Sequence, residues 1–158
     1  MIERQVYLDS SSISKRYLEE KGSDLIDGVY SRAEAGELLL TFSLWNIGEV
    51  IGVLDRYQSR GLISEKEFTT ARSDLVSETL KLSRLGSLGI LPVTSEMISH
   101  SWTLIAKHHI YEADALQISS CREANCDLFL TADKMLLEAA LNEGINAVNV
   151  ETDNLLEL

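Results

Sequence analysis

Two rhythms of apolar positions alternate along the chain. Short continuous runs, Gln5-Val6-Tyr7-Leu8, Leu38-Leu39-Leu40-Thr41-Phe42, Leu88-Gly89-Ile90-Leu91, Leu128-Phe129-Leu130-Thr131 and Ala147-Val148-Asn149-Val150, read as strands. Between them, apolar side chains recur every three or four residues, the helical period. The first run predicts a strand at about 5–9, then a helix at about 12–20 that stops at Gly22, and Ser23 is expected to cap a second helix to about Ala35. Gly36 separates that helix from the second strand. A helix from about Leu44 to Ser59, closed by Gly61, precedes a long helix opening on Ser64-x-x-Glu67, a capping box, so that about 44–84 forms a helical hairpin. Pro92 ends the third strand and Thr94 caps a helix to about His108; helices at about 112–124 and 134–143, the latter ending at Gly144, flank the fourth strand. Strands separated by helices need crossover connections, so the pattern predicts an α/β fold: three layers, α/β/α, around a five-stranded parallel sheet buried on both faces.

At 158 residues and 45% apolar content, the chain is expected to form one domain spanning 1–158 with a substantial core. No apolar stretch approaches the roughly 20 residues that cross a bilayer. Met1-Ile2-Glu3-Arg4-Gln5 runs into a strand without a signal-peptide pattern, so a cytosolic protein is expected. Cys121 and Cys126 have no metal-ligand spacing and read as reduced core thiols. A net charge of −11 argues against a protein that coats nucleic acid through a general positive field, so any such contact must be local. His100, His108 and His109 fit no nucleophilic triad, and no glycine-rich phosphate loop is present.

Four acids stand apart from the rest. Asp9 and Asp133 follow the carboxyl ends of predicted strands, where open α/β sheets build their sites. Asp114 lies near a helix start, and Glu49 sits inside a helix among Trp45, Ile47, Val50, Ile51, Val53 and Leu54. Taken singly, Asp9, Asp114 and Asp133 could serve as helix caps. Burying Glu49 without a partner would be costly. Gly48 and Gly52 beside it each weaken a helix by about 1 kcal/mol, which suggests close approach by a ligand or, equally, a tight helix crossing. Gathered within about 4 Å, each pair of carboxylates would repel by roughly 4 kcal/mol at an effective dielectric near 20. Such a cluster calls for hard divalent cations, and oxygen-only ligands favour Mg²⁺ or Mn²⁺ over zinc.

In order, Tyr7-Leu8-Asp9-Ser10, Trp45-Asn46-Ile47-Gly48-Glu49-Val50, Glu112-Ala113-Asp114-Ala115-Leu116 and Thr131-Ala132-Asp133 resemble the four motifs of the PIN-domain nucleases, and within them the VapC-type toxins. The resemblance spans nearly the whole chain. It implies a metal-dependent endoribonuclease that hydrolyses single-stranded RNA. Asp9, Glu49 and Asp114 would hold or orient the ions, and Asp133 would complete the pocket directly or through water. Ser10 and Thr131 would be supporting hydroxyls, with a local turn bond the alternative for Ser10. Lys15, Arg16, Arg56 and Arg60 are candidates to guide the RNA backbone, or else ordinary surface charges.

The resemblance further implies a homodimer and a small antitoxin partner that inserts a basic side chain into the acidic pocket. The hairpin at about 44–84, with Trp45, Tyr57 and Phe68, is the surface expected for one of these contacts; core packing is the alternative for Trp45 and Phe68. Two other roles remain open for such a chain: a non-catalytic binding or dimerisation module, and a housekeeping RNA-processing nuclease. An aspartyl-phosphate enzyme fits poorly, because its pattern needs a second Asp where Ser11 stands, and a receiver domain needs adjacent acids after the first strand.

Overall fold

The computed structural model describes residues 4–153. The expectation of a leaderless start rests in part on Met1–Glu3, which lie outside the described residues. The elements run β1 (Gln5–Leu8), α1 (Ser10–Ser14), α2 (Ser23–Glu34), β2 (Leu39–Ser43), α3 (Leu44–Ser59), α4 (Glu65–Arg84), β3 (Leu88–Leu91), α5 (Ser95–His108), α6 (Glu112–Glu123), β4 (Leu128–Thr131), α7 (Lys134–Asn142) and β5 (Ala147–Asn149). All strand pairs are parallel, in the order β3-β2-β1-β4-β5. This is the expected three-layer sheet and helical hairpin.

The period-two pleat of the strands divides the core. Val6, Leu8, Leu40, Phe42, Leu128 and Leu130 pack with Ile13, Ile26, Tyr30, Val50, Leu75 and Leu82 from α1 to α4. Tyr7 and Phe129 point the other way, into Leu104, Ala115, Ile118, Leu136 and Ala139 of α5, α6 and α7, with their rings stacked 5.3 Å apart. A smaller cluster of Leu18, Leu54 and Ala71, with Tyr57 and Phe68 packed on it, joins the hairpin to the chain after α1. The expected capping box of α4 is present: Glu67 N donates to Ser64 Oγ, and Ser64 N to Glu67 Oε2 at 2.7 Å.

Two local expectations are corrected. The first helix ends at Ser14 rather than near residue 20, and the chain continues through tighter turns in which Arg16 N bonds to Ile13 O and Tyr17 N to Ser14 O. Lys15 is buried between Glu20 and Glu151, and Arg16 meets Asp27 and Glu78 while its guanidinium lies over the Tyr30 ring. Nor does Ser23 cap α2. Gly22 holds that position at φ 91°, and Ser23 Oγ instead accepts from Glu20 N and donates to Leu18 O, fastening the turn.

Strand order reverses at β1, since β2 lies on one side of it and β4 on the other. Crossovers diverging from that point leave a crevice beyond its carboxyl end. Asp9 is the first residue past that end.

Candidate active site

Asp9 leaves β1 and caps α1, accepting from Ser12 N at 2.9 Å. Its oxygens also accept from Ser11 Oγ at 2.8 Å and Thr131 Oγ at 2.6 Å. Burial pushes its carboxyl above the usual range, while the bonds from Thr131, Ser12 and Ser11 pull the other way. Thr131, the last residue of β4, accepts in turn from Asp133 N at 3.0 Å and so ties two of the acids to one hydroxyl. Asp133 is exposed and caps α7 through Leu136 N at 2.9 Å. For Asp9 and Asp133, capping and membership of an acidic group are therefore both true.

Glu49 stands in the second turn of α3, where Ser10 Oγ and Gln117 Nε2 donate to it, the latter at 2.9 Å. Burial raises its pKa; the Ser10 bond and the neighbouring Trp45 lower it, Asp9 raises it and Arg56 lowers it. Asp114 occupies the first turn of α6, whose amino end faces the same sheet edge. Its pKa is pushed up to about 6, by burial first and then by the charges of Asp133, Asp9 and Glu49. Asp114 therefore feels the charge of each of the other three sequence-predicted acids.

Beneath them lies a buried polar network that the sequence reading missed. Tyr7 Oη donates to Gln117 Oε1 at 2.9 Å and to Asn46 Oδ1 at 3.2 Å. Asn46 Nδ2 donates to Gln117 Oε1 at 2.7 Å and to Ser10 Oγ at 3.0 Å, and Asn46 Oδ1 accepts from Ser43 N at 2.8 Å. A faint signal existed: Asn46 and Gln117 are amides on otherwise buried helix faces, each three residues from a candidate acid. Ser10 serves Glu49, and Thr131 serves Asp9.

The four basic candidates separate. Lys15 and Arg16 are consumed by their ion pairs, so their charge is already matched. Arg60 caps the carboxyl end of α3. Arg56 alone of the four lines a cleft with Ser10, Ser11 and Glu49. Among the described residues, no Lys or Arg forms an ion pair with any of the four acids.

Also among the described residues, no three His, Cys, Asp or Glu side chains stand as a ready coordination sphere. Asp9, Glu49 and Asp133 each accept from a hydroxyl, amide or backbone donor of their own. The donor chemistry nonetheless fits a hard dication. The group is oxygen-only and unmatched by ion pairs, and a cation among the acids would offset the like-charge part of the Asp114 shift, whose larger cause is burial.

A family model described as PIN domain matches residues 6–142. The chain belongs to the PIN-domain family. Solved structures agree with that fold. FitAcB from Neisseria gonorrhoeae superposes with a TM-score of 0.65 at 18% identity, covering 94% of this chain and 99% of that one. PAE2754 from Pyrobaculum aerophilum gives 0.64 at 16% identity, covering 94% and 92%. VapC20 of Mycobacterium tuberculosis, described as a toxin that cleaves the sarcin-ricin loop, gives 0.61 at 14% identity, covering 85% and 94%. No curated protein matches the sequence at a significant level. Within this PIN domain, the matched span contains all four acids and the network beneath them.

Proposed function

We propose that this PIN domain is a divalent-metal-dependent endoribonuclease that hydrolyses phosphodiester bonds of single-stranded RNA, as the toxin of a toxin–antitoxin pair. The carrying observation is the mutual charge of Asp9, Glu49, Asp114 and Asp133 at the point where strand order reverses. Asp9, Glu49 and Asp114 would hold Mg²⁺ or Mn²⁺, with Asp133 at the solvent side. Bound there, the ion would supply Lewis acidity toward water and the scissile phosphate. The chain's own groups do the rest. Ser11 and Thr131 fix the Asp9 carboxylate, Ser10 and Gln117 fix Glu49, and Arg56 offers an unmatched positive charge to the RNA backbone. VapC20, a toxin by its description, shares the fold. A small antitoxin carrying a basic side chain would neutralise the acids when cleavage is to be held off, and a homodimer is the proposed assembly.

The test is hydrolysis of a fluorogenic single-stranded RNA with Mg²⁺ or Mn²⁺ and with chelator. Cleavage that requires the dication and disappears in Asp9→Asn supports the proposal. Cleavage undiminished by chelator, or full activity in Asp9→Asn, would overturn it.

A further inference from the structure

The cleft that carries Arg56 has a floor the acids do not explain. Trp45, Gly48, Glu49, Gly52 and Arg56 follow one another on a single face of α3 at helical spacing, while Val50 and Leu54 point into the core. A Cβ added at Gly48 would meet nothing within 4 Å, and one at Gly52 would meet only Arg56 Nη1, at 3.6 Å. Neither glycine lies against the backbone of a neighbouring helix, so the tight crossing that sequence alone allowed is not what these glycines serve. Two glycines weaken the middle of a helix and leave its surface flat, which is useful only if something lies on it.

What bounds that surface identifies the occupant. Trp45 is 46% exposed, a large aromatic face left to solvent, and it lines the cleft beside Glu49. The cleft measures about 510 Å³, within the range of small-ligand sites. Glu49 on its wall repels an anion inside, whereas Arg56, with no ion pair among the described residues, attracts one at the far end. A flat, neutral aromatic group attached to an anion satisfies all of these at once.

We propose that this cleft is a nucleobase subsite: one unpaired base of the RNA lies on the glycine floor of α3 against Trp45, with Arg56 on its phosphate. The proposal rests on the RNA-nuclease reading above and adds how the strand is held beside the acids. Base–aromatic stacking tolerates any base, so the subsite supplies affinity and register more than sequence choice.

Trp102→Phe leaves Trp45 as the sole tryptophan. In that background, with chelator present, an oligoadenylate RNA of about ten nucleotides is titrated against tryptophan emission. Saturable quenching is expected. Gly48→Leu, which fills the floor, should weaken binding at least about tenfold, the size of a lost base stack, without lowering the melting temperature. Gly48→Ala should raise the melting temperature while weakening binding less, which separates a blocked cleft from a damaged fold. With the dication added, Gly48→Leu should raise KM about tenfold at nearly constant kcat, the signature of a contact equal in ground and transition states. Unchanged quenching and KM in Gly48→Leu would overturn the subsite. If the parent then still cleaves RNA, the nuclease reading stands without it; quenching in a parent that cleaves no RNA would support the subsite and overturn the nuclease reading.

Discussion

Asp114 registers the charge of the site most plainly. Its pKa is raised from 3.8 to about 6 by burial and by Asp133, Asp9 and Glu49. A carboxyl raised in the folded state binds its proton more tightly there than when unfolded, so stability gained from protonation is complete below about 4 and lost as pH rises through about 6. At neutral pH the ionised group therefore works against the fold. Because the side chain is only partly buried, solvent screening limits the effect to about 1 kcal/mol. Asp114→Asn should raise the melting temperature at pH 7 in chelator, and the gain should vanish as pH falls toward 4; a variant no more stable than the parent at pH 7 would contradict the shared field. Gln117 makes the complementary case. Gln117→Leu would remove one of the two acceptors of Tyr7 Oη and of Asn46 Nδ2 in the core, and one of the two donors to Glu49. A loss of about 2–3 kcal/mol in urea unfolding is expected, with RNA cleavage falling alongside it.

Among the elements, the turn between α1 and α2 gives the sharpest backbone prediction. Gly22 holds φ 91°, and an added Cβ would lie 2.7 Å from Val150 O. Gly22→Ala should destabilise by about 2 kcal/mol or more, read from chemical denaturation, through left-handed strain and collision together. The same turn marks where sequence reading failed. Strands, the hairpin and the capping box of α4 were legible because their signals are local: an apolar run, a helical period, Ser64 three residues before Glu67. The end of α1 was not legible, since the turn that follows it carries Lys15 and Arg16 bonded to Glu151 and Glu78, partners distant in sequence. The site divides in the same way. Acids at strand ends and helix starts could be placed by topology, whereas the bonds joining Tyr7, Asn46 and Gln117 depend on three elements meeting in space.

At the scale of the whole molecule, a net charge of −11 sets how this PIN domain meets a polyanion. Lys15 and Arg16 are already paired, which leaves Arg56 and Arg60 as the candidate phosphate contacts. With about two such contacts on a single strand, the slope of log affinity against log salt should be near −1.4, shallow for a nucleic-acid-binding protein. A slope several times steeper would show a basic surface that the fold does not display. The proposed dication site at the four-carboxylate edge is tested most directly by Mn²⁺ uptake. Loss of the free-ion electron paramagnetic resonance signal would be followed on titrating the protein and its Asp114→Asn variant. The account predicts saturable uptake by the parent and affinity lower by about tenfold or more in the variant. No uptake by the parent, or equal uptake by both, would contradict it.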